Sequence, residues 1–184
     1  MIDGEHWLNW WGAGFVSDIH ESWHTLPWFS FSKEERQMLY QESPSAICAL
    51  CQIKPSKIPN PEERVLKIID LSPMRLQGML RLIAALSNGD YEHLHDLDKE
   101  WCERISKAIR PETFLPTGVD FREPPFALAI LQKIFLPAVW ARLRLRFYQD
   151  HVLRSEEEAE AFSVVNRKRL RALIDAAIWR MESR

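Results

Sequence analysis

Between Ser32 and Pro73 the sequence repeats one local signal, a capping side chain set where a helix can begin, and this punctuation constrains the fold more than any other feature. Ser32 followed by Glu35 makes the S-x-x-E pattern, in which the serine oxygen takes an orphaned backbone N–H and the glutamate reaches back to the cap. A helix over about 32–42 follows. Ser43-Pro44, Asn60-Pro61 and Ser72-Pro73 each place a capping residue before a proline at the first helical position, where the missing N–H costs nothing. These pairs predict three more helices. In the last, Met74, Leu76, Met79, Leu80, Leu82, Ile83 and Leu86 form a broad apolar face and Asn88-Gly89 supplies a left-handed stop, which bounds the helix at about 73–88.

Further along, Asp96 can cap a helix in which Leu97, Trp101, Ile105 and Ile109 recur every four residues, and Pro111 closes it. Residues 112–125 read as a proline-rich connector or lid, because Pro116, Gly118, Pro124 and Pro125 fall close together. Phe126–Phe135 is apolar on nearly all sides, as expected of an interior helix. A last amphipathic helix over about 163–182 uses Val164, Leu170, Leu173, Ile174, Ala177 and Ile178. One stretch is ambiguous. Arg142-Leu143-Arg144-Leu145-Arg146-Phe147 alternates like a half-buried strand, while Leu136, Trp140, Leu143 and Phe147 fit a helical face, and the helix is favoured. The expected fold is all-α: a single compact multi-helix domain over 1–184, with a tryptophan-rich segment at 1–31 and one short strand-like segment near 142–147 as the alternative.

A chain of 184 residues that is 46% apolar can bury roughly 70% of its unfolded surface, so it needs neither disulfides nor a structural metal. Cys48, Cys51 and Cys102 are too few, and odd in number, for a disulfide framework. With no basic or apolar leader pattern in Met1–Trp7, the expected compartment is the cytoplasm. The apolar run at 126–131 is far short of the roughly 20 residues that span a bilayer. A net charge of −2 and a pI near 6.3 give no overall basic footprint for nucleic acid.

Two patterns could carry chemistry. His20-Glu21-Ser22-Trp23-His24 matches H-E-x-x-H, which on a helix would set His20 and His24 one turn apart to hold zinc, with Glu21 as general base. Pro27 lies within a turn of His24 and no Gly-x-x-His follows, so a surface turn of helix competes with the small zinc-dependent hydrolase that the motif would imply. Cys48-Ala49-Leu50-Cys51 has metal or redox spacing, but its apolar surroundings favour packing of the thiols as small hydrophobes. His93-Leu94-His95 sits in an acidic stretch and reads as a solvated turn. No metal, cofactor or catalytic residue is expected under the leading reading.

Trp7, Trp10, Trp11, Trp23 and Trp28 crowd the first 28 residues, and they either wedge into the body of the domain or present a partner surface. The C-terminal quarter is mildly basic. Arg142, Arg144 and Arg146, and the run Arg167-Lys168-Arg169-x-Arg171, could meet phosphate, an acidic partner or water. Trp7, Trp10 and Trp11 and the Arg142/Arg144/Arg146 face are the candidate partner-binding elements.

Two blocks resemble a known family. Asp70–Leu86, with its R-L-x-x-x-L core at Arg75-Leu76 to Leu80, is similar to the central helix of the SctK (YscK) proteins, the K component of the type III secretion sorting platform. Pro137–Phe147 is similar to that family's late W-x-R-L-x-L-R segment, here Trp140 to Arg146. The likeness spans about residues 65–150. It implies a non-enzymatic, mainly helical cytoplasmic adaptor that links the SctD cytoplasmic domain of the inner-membrane ring to the SctQ pods, and through SctL to the secretion ATPase. It brings no catalytic residues to carry over. A regulatory binding module without a secretion role would share the same sequence features.

Overall fold

The computed structural model describes residues 3–116, 118–161 and 166–183. Among these the chain forms ten α-helices and no strand, so the all-α fold is the one that forms. In chain order these are α1 (Gly4–Gly12), α2 (Lys33–Glu42), α3 (Pro44–Leu50), α4 (Glu63–Ile69) and α5 (Pro73–Asn88), then α6 (Asp96–Ile109), α7 (Pro124–Gln132), α8 (Pro137–Leu143), α9 (Gln149–Ala161) and α10 (Arg167–Glu182). The chain divides into two compact units. Unit 1 joins the chain up to Leu66 with Leu136–Asp150, and unit 2 joins Lys67–Phe135 with the chain from His151 onward.

Unit 2 is organised on α5. Ser72 Oγ accepts the Arg75 N–H at 3.4 Å to open it, and Gly89, in the left-handed region at φ +68°, donates to Ala85 O at 2.9 Å to close it. Leu76, Met79, Leu82, Ile83 and Leu86 are buried on one face, whereas Met74, expected in that face, stands exposed in the first turn. α10 packs along α5 with Leu170, Leu173, Ile174, Ala177 and Ile178 buried. The approach is close at Gly78, where an added Cβ would stand 2.7 Å from Met181 Sδ. Val164, expected in this last helix, lies outside the described residues. α7 starts two residues earlier than its apolar run suggested, because Pro124 and Pro125 fit a first turn and need no N–H acceptor there. Phe121, in the expected connector, is buried and donates its backbone N–H to Asn88 Oδ1 at 3.0 Å.

Unit 1 is made of shorter pieces. 3₁₀ turns at Gly14–Asp18, Glu21–Trp23 and Pro27–Ser30 carry the chain from α1 to α2. α2 has the full reciprocal cap: Ser32 Oγ accepts from Glu35 N at 3.2 Å and Glu35 Oε2 accepts from Ser32 N at 2.7 Å. One expected start differs: α4 begins at Glu63 rather than at Pro61, while α3 starts at Pro44 as expected although Ser43 makes no side-chain bond there. The alternating stretch 142–147 is not a strand: α8 runs to Leu143 and a 3₁₀ turn takes Arg144–Arg146. Leucines and arginines are buried alike there, with Leu143 and Leu145 at 0% exposure and Arg142 and Arg146 at 4% and 8%, so the alternation does not mark an inside and an outside.

Candidate functional site

The tryptophans and arginines that the sequence offered as two separate partner surfaces lie in unit 1, all buried except the half-buried Arg144, and several pack against one another. Trp7, Trp10, Trp11, Trp23 and Trp28 are all buried. On α1, Trp7 and Trp11 stack with ring centroids 5.9 Å apart, and Trp10 packs beside both. Trp7 donates its indole N–H to Pro59 O at 3.2 Å. Arg142, on α8, lies over the Trp11 ring at 3.7 Å, donates through Nε to Trp11 O at 3.0 Å and through Nη1 to Ala138 O at 3.1 Å, and places Nη2 3.5 Å from Cys48 Sγ. Arg144 lies over the Trp23 ring at 5.4 Å, and Trp23 donates to Phe147 O at 2.9 Å.

The aromatic surface at Trp7, Trp10 and Trp11 and the arginines Arg142 and Arg146 are therefore corrected to interior positions, and Arg144 is half-buried rather than part of an exposed strip. The cause is mutual. A buried guanidinium needs acceptors and a polarizable face, and the tryptophan backbone and rings supply both.

His20 and His24 do not form a helical pair. His20 has extended backbone at the cap of the Glu21–Trp23 3₁₀ turn, its Nδ1 accepts the Ser22 N–H at 3.2 Å, and its ring meets Tyr148 edge-on. Ser22 Oγ is engaged by the Gln149 N–H at 2.8 Å. The α-helical spacing that would stack two imidazoles on one side is absent, which removes the geometric basis of the zinc hydrolase reading. Among the described residues no group of three His, Cys, Asp or Glu side chains converges as a metal-holding set. Of the thiols, Cys51 and Cys102 are buried and burial pushes both up to about 12, while Cys48 is half-buried.

Two polar features belong to unit 2. An open depression is lined by Asn88, Asp90, Gly118, Val119, Asp120 and Arg122. Arg122 cancels its charge there, bonding Asp120 Oδ2 at 2.8 Å and approaching Asp90 Oδ2 at 3.5 Å, and this contact holds the Asp120 carboxyl below its ordinary range.

The second feature is the basic run, which stays exposed at the start of α10: Arg167, Lys168, Arg169 and Arg171 all face solvent. Arg169 Nη1 donates to Thr113 Oγ1 at 2.7 Å, and that hydroxyl donates to Arg110 O at 2.7 Å, which sets Arg110 and the end of α6 beside the run. Arg167 donates through Nε and Nη2 to Lys133 O at 3.1 and 2.9 Å. Sequence reasoning found the run but missed Lys107 and Arg110, and its one available signal was their place at the C-terminal end of α6.

No family model, curated protein or solved structure matches this chain. Among the described residues no helix is long and apolar enough to cross a membrane.

Proposed function

We propose that the chain is a non-enzymatic cytoplasmic adaptor of the type III secretion sorting platform, linking an SctD-type ring domain to an SctQ-type pod protein. The observation that supports this reading is that both sequence blocks resembling the SctK family form whole structural pieces. Asp70–Leu86 covers the Ser72-capped helix α5 almost entirely, and Pro137–Phe147 covers α8 and the turn after it. Each piece lies at the heart of its own unit: α5 carries the apolar face of unit 2, and α8 carries the arginine that packs on Trp11 in unit 1. An adaptor works by presenting fixed surfaces, and its chemistry is recognition, in which charged groups steer and select partners.

The test is co-purification. Tagged full-length protein is mixed with the purified pod protein and with the ring protein's cytoplasmic domain from the same genome. Co-elution with both, including a ternary complex that the two partners do not form alone, is the expected result. Elution free of either partner sinks the reading, and so does a coding region that lies away from secretion genes.

A further inference from the structure

Unit 2 gathers Lys107 and Arg110 at the end of α6 with Arg167, Lys168, Arg169 and Arg171 at the start of α10, and Glu112 is the one carboxylate within 107–113 and 167–171. All six are exposed. Five other cations of the unit are neutralised, Arg122 by Asp120, Arg154 by Glu123, Arg180 by Asp98, Lys99 by Glu92 and Lys67 by Glu182, while Arg75, Arg81 and Arg104 stand singly rather than in a cluster of six. Among the described residues none of the six pairs with a carboxylate, and the bonds that fix Arg167 and Arg169 go to neutral acceptors, a carbonyl and a hydroxyl. Their positions are set while their charge is left available.

The placement is also locally unfavourable. Lys107 and Arg110 suit a helix C-terminus, but the four cations of α10 stand at the end where the helix dipole is positive and where anions are favoured. Asn166 Oδ1 occupies one of the free N–H groups there, that of Arg169.

We propose that this face docks an acidic segment of a partner protein. Guanidinium forks pair with carboxylates in a bidentate way, and the six cations come from the ends of two helices joined through Thr113, so one acidic segment can meet more than one of them. A long nucleic acid is disfavoured by the remainder of a chain whose net charge is −2. An anionic bilayer is disfavoured because no large apolar side chain in 107–113 or 167–171 is exposed to enter it. The inference rests on the adaptor reading for the existence of a partner, not for the location of the face.

The probe is a synthetic Glu-rich peptide of about a dozen residues, titrated calorimetrically into the full chain at low salt. Saturable one-to-one binding is expected, weakened at least about tenfold in Arg167→Glu/Arg169→Glu/Arg171→Glu with the helical circular dichroism unchanged. Because Arg167 and Arg169 also make local bonds, Lys168→Glu/Arg171→Glu is the second variant, and it must weaken binding as well. Lack of saturable binding, or binding that these variants leave intact, overturns the proposal. Tighter binding of a short DNA duplex or of phosphatidylserine vesicles, through the same six cations, overturns the choice of occupant. Salt-sensitive self-association that engages the face does the same. Peptide binding retained alongside failed co-purification with the platform proteins would remove the adaptor reading and leave this face standing.

Discussion

Arg142 carries a charge into the interior of unit 1, where its acceptors are the carbonyls of Trp11 and Ala138 and its π partner is the Trp11 ring. Burial lowers its pKa, but an arginine stays protonated at any pH the fold survives. Arg142→Ala leaves the Trp11 carbonyl without its donor, removes the second bond to the helical Ala138 carbonyl and removes the cation–π contact, and it should cost about 3 kcal/mol. Arg142→Lys should recover little, since an ammonium cannot span both carbonyls and the ring. Urea unfolding measures the loss as a shifted midpoint at constant slope, and a loss below about 1 kcal/mol would mean that the contact is incidental.

The sequence could not show this arrangement, because the acceptor lies 131 residues from the arginine. An R-L-R-L-R alternation looks like a solvated edge unless the aromatic face that receives it is known. The thiols are a second residue-scale test. Cys51 and Cys102, pushed up to about 12 from 9.0, stay neutral in the fold while the unfolded chain ionises near 9. Their contribution to stability is complete below about pH 9 and is lost as pH rises toward about 12. Burial raises Tyr91 in the same direction. In native protein at neutral pH, Cys48 should take up a thiol reagent ahead of the other two, and Cys51→Ala/Cys102→Ala should flatten the alkaline loss of stability.

Among the elements, legibility followed local bonding. Helix starts were readable where a side chain makes the capping bond, as at Ser32 and Ser72, and the stop was readable at Gly89, where the backbone needs a positive φ. The start at Asn60-Pro61 was misplaced, whereas α3 begins at Pro44 on the proline alone, with no capping bond from Ser43. The H-E-x-x-H stretch misleads for a related reason: His20 bonds the Ser22 N–H, and such side chain–backbone bonds compete with helix formation. α2 offers the cleanest test of a cap, because it buries none of its residues and its ends are all that local chemistry can fix. Ser32→Ala should cost that helix about 1 kcal/mol. Amide exchange should quicken over 33–42 while the global unfolding midpoint barely moves. Bonds to Ser32 hold the Glu35 carboxyl below its ordinary range, so the reciprocal cap persists above about pH 4.5 and is lost as pH falls through the lowered value. The same exchange signature should then appear in acid without any mutation.

For the whole molecule, the sequence announced two basic clusters, and folding sorted them into opposite roles. The first is drawn inside by tryptophans, and the second is left at the surface and enlarged by the end of α6. That sorting depends on which helices meet, which no local pattern encodes. It leaves a conflict between stability and recognition that one substitution can expose. Lys168, at the second position of α10 and free of hydrogen bonds among the described residues, opposes the helix dipole. Lys168→Glu replaces that repulsion with attraction and should stabilise the protein by about 0.3–1 kcal/mol at low salt. The same change should weaken capture of an acidic partner, because it reverses one of the six exposed charges of the face. Thermal melting and peptide titration on one preparation read both effects, which must move in opposite directions. If stability and affinity fall together, the four cations of α10 are held for the fold rather than for a partner. If both are unmoved, the face is solvated surface and the asymmetry has no consequence.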